Sequence, residues 1–198
     1  MIELTERFGQ ALLFAFQLHQ QQRRKGSQTP YIAHLLGVAA LVLEDGGDED
    51  EAIAALLHDA AEDQGGLETL EQIRLKFGAR VASIVDGCTD TYETPKPLWR
   101  PRKEDYLGHL QTASPSVLRV SLADKLHNAR TILVDLSSQG DQVWRRFNGG
   151  KAGSLWYYRS LVQIFQQLQR SGLDNSPMLA QLGEVVTQIE QLAEEDPI

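Results

Sequence analysis

The sequence has a single cysteine and no long hydrophobic run. With one thiol, Cys88, the chain can form neither an internal disulfide nor a pair of cysteine ligands for zinc. No stretch approaches the roughly 18 to 20 apolar residues that a membrane-spanning helix needs. The opening residues MIELTERFGQ include acidic side chains and lack the basic start of a signal peptide. We therefore expect a cytoplasmic protein that does not insert into a membrane.

Positive charge is also scarce. The 198 residues include 19 Lys and Arg against 27 Asp and Glu, which gives a net charge of −8. Because binding along a nucleic-acid backbone needs a basic surface, we expect no nucleic-acid partner. The basic residues still form clusters at 23–25 and 100–103. Either cluster alone is typical of a solvated loop or helix end, but together they leave an anionic small molecule as a candidate ligand.

Apolar residues recur at helical spacing along most of the chain, and strand and helix signals do not alternate. This pattern predicts an all-α protein, although VLRVSL at 117–122 alone is also compatible with a strand. Residues 88–103 contain three prolines and predict a loop. Hydrophobic content of 42% and the chain length suit one domain over residues 1–198. The predicted helices lie at about 4–16, 32–43, 48–64, 67–77, from 81, 103–110, 118–136, 155–168 and 177–194.

The sequence LLHDAAED at 56–63 places four ionisable groups in an apolar stretch. On a continuous helix, His58 stacks with Glu62 and Asp59 stacks with Asp63, one turn later. Buried carboxylates without a partner are costly and tend to protonate. A divalent cation would keep them ionised, and exposure on a solvated helix face is the other solution. The flanking leucines and alanines leave little of this helix for solvent.

Two further segments offer similar chemistry. In SLADKLHNART, Asp124, Asn128 and Thr131 share one helical face within an apolar frame, and in PYIAHLLGVA, His34 lies near a helix start. Either feature alone is more often structural. We expect His19, by contrast, on a helix surface.

The ordered series His34, His58–Asp59 and Asp124 resembles the HD superfamily of metal-dependent phosphohydrolases. The segments RRKGSQTPYIAH, LLHDAAED and LADKLHNART are similar to the hydrolase domain of the RelA/SpoT family, especially its single-domain members, the small alarmone hydrolases. The likeness covers about residues 5–165. It implies a single-domain helical bundle of the HD phosphohydrolase type, followed by C-terminal helices at 154–194.

The resemblance also implies the roles of individual residues. One manganese ion, or another divalent transition metal, is expected to bind to His34, His58, Asp59 and Asp124, a ligand set of imidazoles and carboxylates that suits such an ion. Glu62 and Asp63 are expected to orient or deprotonate the attacking nucleophile. The residues expected to contact the substrate are Arg24, Lys25, Asn128, Thr131, Arg102, Lys103 and Tyr106.

The implied reaction is manganese-dependent hydrolysis of the 3′ diphosphate of guanosine 3′,5′-bispyrophosphate, ppGpp or pppGpp, which gives GDP or GTP and pyrophosphate. This is chemistry of the stringent response. One alternative keeps the site and changes the substrate to another nucleotide, such as NADPH. A second alternative is a helical module that binds a nucleotide without hydrolysing it, which the presence of all four ligands and both carboxylates disfavours. No particular oligomeric state is implied.

Overall fold

The computed structural model describes residues 2–168 and 176–195. Within these ranges the regular structure is helical, apart from one isolated bridge between Arg23 and Pro30, which confirms the all-α class. No helix there combines the length and the hydropathy needed to cross a membrane. The helices are α1 (Glu6–His19), α2 (Ile32–Glu44), α3 (Glu49–Leu57), α4 (Ala60–Asp63), α5 (Gly66–Phe77), α6 (Ala79–Cys88), α7 (Trp99–Leu110), α8 (Pro115–Gln139), a 3-10 helix (Gly140–Arg146), α9 (Gly150–Gln167) and α10 (Pro177–Glu195).

The described residues divide into two compact units. Of these residues, unit 1 comprises 2–96 and 113–124, and unit 2 comprises 97–112, 125–168 and 176–195. Helix α8 contributes its first part to unit 1 and the remainder to unit 2. The single-domain organisation over residues 1–198 stays a prediction.

Helix α3 is the centre of unit 1. Every residue from Glu51 to Leu57 is buried, and the helix packs against α1, α2 and α6. A helix that is apolar on all sides has no solvent face, so it belongs in the interior of the fold. Its first turn is fixed by a capping box, in which Asp48 and Glu51 each accept a hydrogen bond from the other's backbone N–H. The consequence is that the residues directly after Leu57 emerge inside the unit.

The prediction of one helix through LLHDAAED is wrong. Helix α3 ends at Leu57, and α4 begins at Ala60. The His58 ring donates from Nδ1 to the carbonyl oxygen of Ala55 at 2.8 Å. In a continuous helix that carbonyl accepts from the Asp59 N–H, so the side chain competes with the backbone at this turn. His58 and Asp59 therefore lie at a break between two helices.

The helix boundaries after the central loop also differ from the predictions. Helix α7 begins at Trp99 instead of 103, because Pro101 lies within the first turn, where its missing N–H costs nothing. Helix α8 begins at Pro115, and Ser114 Oγ accepts from the Val117 N–H at 3.3 Å. The segment VLRVSL is part of this helix.

Unit 2 is built around α9, which packs against α7 and α10. The Trp99 ring lies so close to Gly149 that a Cβ atom at that position would be 2.7 Å from its Cη2. The Trp156 ring packs edge-on against Trp99 and lies under the Arg100 guanidinium at 3.2 Å. Aromatic and cation–π contacts thus join α7 to α9.

Candidate metal centre and active site

Four of the predicted residues converge in unit 1. His34 Nε2 lies 3.1 Å from Asp124 Oδ1 and 3.7 Å from Asp59 Oδ2. His58 Nε2 lies 2.9 Å from Asp59 Oδ2 and 3.5 Å from Asp124 Oδ1. His34, His58 and Asp124 are buried, and Asp59 is partly exposed. Two imidazole nitrogens and two carboxylates from three parts of the chain therefore face one small volume.

The His58 ring is oriented toward this volume. Its Nδ1 donates to the Ala55 carbonyl, which only accepts, so the neutral ring carries its proton on Nδ1 and directs the Nε2 lone pair toward the carboxylates. Nε2 is buried and makes no hydrogen bond, although Asp59 Oδ2 is only 2.9 Å away. A hydrogen bond from the second ring nitrogen to a carbonyl is the usual way in which a metal-ligating histidine is fixed.

The electrostatics of the four residues favour a cation between them. Burial alone would lower the pKa of His58, but the carboxylates of Asp59 and Asp124 hold it well above its ordinary value. Burial would raise the pKa of Asp59, but the His58 imidazole and the contact with His34 hold it well below. Positive charge is thus stabilised at the point where the carboxylates meet.

The donor set fits a divalent transition metal. His34, His58 and Asp59 each offer one ligand atom, and these atoms lie within 4.8 Å of one another. Two ligands at right angles on an octahedral ion with bonds of about 2.1 Å are about 3 Å apart. The closest nitrogen–oxygen separations, 2.9 and 3.1 Å, match this spacing. Imidazole with carboxylate suits manganese, iron, cobalt or zinc.

Tyr31 supports the candidate centre and was missed from the sequence. Its hydroxyl donates to Asp59 Oδ2 at 2.6 Å, and its ring packs edge-on against His34 at 5.5 Å. Burial and the Asp59 charge raise the Tyr31 pKa, so this hydroxyl keeps its proton. The only sequence signal is its place three positions before His34, which a helix turns toward the same face.

The prediction that His19 lies on a helix surface is wrong. Its side chain is buried and stacks on Tyr31, with ring centroids 5.2 Å apart. Burial lowers the pKa of His19, and the hydrogen bond with Gln22 only partly opposes this. The neutral ring donates from Nδ1 to Gln22 Oε1 at 2.6 Å. His19 is the last residue of α1, and the chain after it brings Gln22 and Tyr31 into contact with the ring.

Glu62 and Asp63 lie on α4, and both carboxylates pair with the ammonium group of Lys96. Lys96 Nζ lies 2.7 Å from Glu62 Oε1 and 3.3 Å from Asp63 Oδ1. The second oxygen of Glu62 accepts from the Asp90 N–H at 3.1 Å. Lys96 was not predicted as a site residue, because it lies in a proline-containing segment without periodicity.

A glutamine network holds the other side of Asp63. Gln22 Nε2 donates to Asp63 Oδ2 at 2.9 Å, and Gln64 Nε2 donates to Gln22 Oε1 at 2.6 Å. Burial raises the pKa of Asp63, and the nearby charge of Asp59 raises it further. Asp63 is therefore a stronger base than an exposed aspartate.

The predicted substrate residues lie in both units. In unit 1, Arg24 and Lys25 form the turn between α1 and α2, and the Arg24 guanidinium lies 5.6 Å from the Tyr31 ring. In unit 2, Lys103 Nζ lies 5.8 Å from the buried Tyr106 ring. On α8, Thr131 donates from Oγ1 to the His127 carbonyl at 3.0 Å.

The last two predicted substrate residues are half-buried. Arg102 is on α7, and Asn128 is on α8. Substrate contact by these seven residues stays a prediction.

Comparison with known proteins identifies the fold family. A family model described as "HD domain" matches residues 11–155, which include all four candidate metal ligands and both carboxylates of α4. This chain belongs to the HD domain family. The match takes in residues of both units, so the family's fold extends over more than the candidate metal centre.

Relatives of this HD domain protein include named hydrolases. It is 40% identical over 174 residues to the guanosine-3′,5′-bis(diphosphate) 3′-pyrophosphohydrolase MESH1 of Mus musculus, covering 86% of this chain and 89% of that protein. It is 44% identical over 126 residues to the Xenopus tropicalis protein of the same name, covering 62% and 68%.

A solved structure shares the architecture. It is described as a metazoan ortholog of SpoT that hydrolyzes ppGpp, and it aligns with a TM-score of 0.73 at 25% identity, covering 95% of this chain and 98% of that one. The predicted resemblance to the RelA/SpoT type is thereby confirmed.

Proposed function

We propose that this HD domain protein hydrolyses the 3′ diphosphate of guanosine 3′,5′-bispyrophosphate and releases pyrophosphate, with manganese as its metal. The observation that carries the proposal is the meeting of His34, His58, Asp59 and Asp124, with Glu62 and Asp63 on the helix that follows directly. The relatives named for this reaction supply the substrate class. We further propose a cytoplasmic location.

Two imidazoles and two carboxylates would hold the ion. When bound, a divalent metal lowers the pKa of a coordinated water and neutralises charge on a phosphate. The residues around the ligands fix the geometry: the Ala55 carbonyl orients His58, and the Tyr31 hydroxyl orients Asp59. A bound divalent cation would relieve the mutual repulsion between the Asp59 and Asp124 carboxylates.

Asp63 is the candidate general base in this proposal. Its pKa is raised by burial and by the Asp59 charge, so its Oδ atoms accept a proton more readily than an ordinary aspartate. Glu62 is held at both oxygens, by Lys96 and by the Asp90 N–H, which suits a role in orienting the nucleophile. Lys96 keeps the two carboxylates in one place.

The proposed substrate contacts are basic, polar or aromatic, as a nucleotide with two diphosphate groups requires. Guanidinium and ammonium groups pair with phosphate oxygens, and an aromatic ring or guanidinium plane stacks on a base. The proposed set is Arg24, Lys25, Arg102, Lys103, Tyr106, Asn128 and Thr131.

The test is a substrate panel with product identification. Chelator-treated protein is supplied with manganese and incubated with ppGpp, pppGpp or NADPH, and nucleotide and phosphate products are quantified. We expect one pyrophosphate for each GDP from ppGpp, no reaction without metal, and no turnover by Asp59→Asn. The matched control is Asp105→Asn, an exposed aspartate on α7, which should keep full activity.

Each other outcome has a defined meaning. Release of orthophosphate from NADPH with no pyrophosphate from ppGpp would show that NADPH, and not ppGpp, is the substrate. Binding of ppGpp without any product would favour the non-catalytic module. Retained turnover by Asp59→Asn would reject the ligand role of this residue.

A further inference from the structure

The guanidinium of Arg119 bonds to two buried carboxylates on other parts of unit 1. Nε donates to Asp45 Oδ2 at 3.2 Å, and Nη1 donates to Glu51 Oε1 and Oε2 at 2.9 and 2.8 Å. Only 2% of the Asp45 side chain and 4% of the Glu51 side chain are exposed, against 21% for Arg119. None of these residues belongs to the proposed ligand set.

The three residues lie on the helices that supply the ligands. Asp45 directly follows the last residue of α2, Glu51 is in the first turn of α3, and Arg119 is on α8, about 8 Å along the axis from Asp124. One guanidinium therefore joins all three helices. The proposed ligands belong to the same elements: His34 to α2, His58 and Asp59 to the turn that ends α3, and Asp124 to α8.

The acceptor side of this contact is built to be rigid. Glu51 Oε2 also accepts from the Asp48 N–H at 3.0 Å, as part of the capping box. The turn between α2 and α3 passes so close that a Cβ atom on Gly47 would lie 2.5 Å from Val42 Cγ1 and 3.0 Å from Glu51 Oε2. Arg119 thus docks on a carboxylate whose position is already fixed.

The contact needs the shape of arginine. A guanidinium is planar and presents its Nε and Nη donors in fixed directions, so it can bridge two carboxylates and set the distance between them. A lysine ammonium carries the same charge but does not present separate donors in fixed directions. Without the bridge, the buried carboxylates of Asp45 and Glu51 lose the cation they share, and α8 loses its bonds to both of them.

We propose that Arg119 is a positioning residue for metal binding. Through Asp45 and Glu51 it sets the separation of the three helices, and hence of His34, the His58–Asp59 turn and Asp124. Ligands on separate helices must stay within about 0.5 Å of the productive arrangement, so loosening this junction lowers metal affinity. The inference rests on the proposed metal centre and adds to it a residue that touches neither metal nor substrate.

The experiment compares Arg119→Met and Arg119→Lys with Arg7→Met. Arg7 is the matched control, because it also pairs with acidic residues at the start of α3, Glu49 at 3.1 Å and Asp50 at 2.8 Å, but lies on α1, which carries no proposed ligand. Manganese dissociation constants are measured by titration calorimetry on chelator-treated protein, at a temperature where circular dichroism shows each variant to be folded.

We expect Arg119→Met to weaken manganese binding by about 10- to 100-fold, the range found when residues supporting metal ligands are replaced. Arg119→Lys should lie between this variant and the wild type, and Arg7→Met should keep the wild-type constant while losing thermal stability. At saturating manganese, kcat of Arg119→Met should recover and KM for ppGpp should stay unchanged. If Arg119→Met does not fold, the Arg119→Lys comparison decides.

A metal-free readout separates this inference from the proposed function. In chelator-treated protein, Arg119→Met should speed amide hydrogen exchange at 55–59 and 121–125 relative to Arg7→Met, because the segments that carry the ligands open more often. Loss of stability in Arg119→Met with unchanged manganese affinity and unchanged exchange would overturn the inference. If the wild type binds no manganese, the metal proposal fails, and the exchange comparison alone decides the role of Arg119.

Discussion

Tyr31 Oη donates to Asp59 Oδ2 at 2.6 Å, the shortest polar contact described for any candidate metal ligand. The tyrosine ring is itself held between the His19 and His34 rings. A residue that binds no metal thus fixes the orientation of a carboxylate that is proposed to bind one.

Tyr31→Phe should weaken manganese binding by about 10- to 100-fold and leave the fold intact. The ring packing is kept and only the hydroxyl is lost, so Asp59 is free to rotate. Titration calorimetry with manganese measures the effect. The control is Tyr92→Phe, which removes an equally short bond, 2.6 Å to Asp86, from a half-buried side chain that contacts no proposed metal ligand. Equal affinities for Tyr31→Phe and wild type would contradict the supporting role.

Lys96→Met should move the acid limb of the activity profile to higher pH. Burial and the Asp59 charge raise the pKa of Asp63, and the Lys96 charge opposes this rise. Removing Lys96 therefore raises that pKa further. An ionised base is lost as pH falls through its pKa, so activity on the acid side should fall earlier.

The measurement is kcat/KM from about pH 5 to 9 in constant metal. Lys76→Met is the control, because Lys76 Nζ lies 5.5 Å from the Phe14 ring and pairs with neither carboxylate of α4. An acid limb that stays in place would argue that Asp63 is not the base.

Asp48→Ala should lower the free energy of unfolding by about 0.5–2 kcal/mol at pH 7, because it removes the cap of α3. Burial would raise the pKa of Asp48, but the Glu51 N–H and Arg80 outweigh this and lower it. Its charge thus adds stability that is present above the unfolded pKa and lost as pH falls through the lower folded value.

Urea unfolding of wild type, Asp48→Ala and Asp48→Asn at neutral and acid pH checks this prediction. Asparagine keeps the cap and cannot titrate, so the advantage of the wild type over Asp48→Asn should shrink below about pH 4. A pH-independent difference would show that the Asp48 charge contributes nothing.

Gly87→Ala should destabilise the protein by about 1–3 kcal/mol through overpacking. A Cβ atom at Gly87 would lie 2.5 Å from Cγ2 and 3.1 Å from Cγ1 of Val117, a β-branched side chain that cannot turn away easily. Gly9→Ala is the matched control in α1, with no atom within 4 Å of its added Cβ, and should gain about 0.5–1 kcal/mol. Urea unfolding measures both, and a neutral Gly87→Ala would mean that α6 and α8 can separate without cost.

The helices could be predicted because their signals, apolar periodicity and capping residues, are local in the sequence. The buried second helix, the acidic start of α3 at Asp48 and the Pro177 start of α10 needed no knowledge of distant contacts. The predictions failed where a side chain replaced the regular pattern. The His58 ring interrupted a helix, and Pro101 lay inside a helix start where a loop was expected.

The candidate metal centre was likewise predictable in part. LLHDAAED identifies where ionisable groups are concentrated, and the resemblance to HD hydrolases implies which distant residues join them. The residues alone left two solutions open, a cation or a solvated helix face. Burial of His34, His58 and Asp124 in unit 1 excludes the solvated face for these side chains.

By itself, the sequence determined the helical class, the family and the residues with metal-binding chemistry, because periodicity and short motifs can be identified along the chain without knowledge of how the helices pack. Only the tertiary structure decided that Tyr31 meets Asp59, that Lys96 pairs with Glu62 and Asp63, and that Arg119 joins Asp45 to Glu51. Such pairs depend on how separate helices pack their apolar faces. That packing brings together polar groups from distant segments, and no local pattern records which ones will meet.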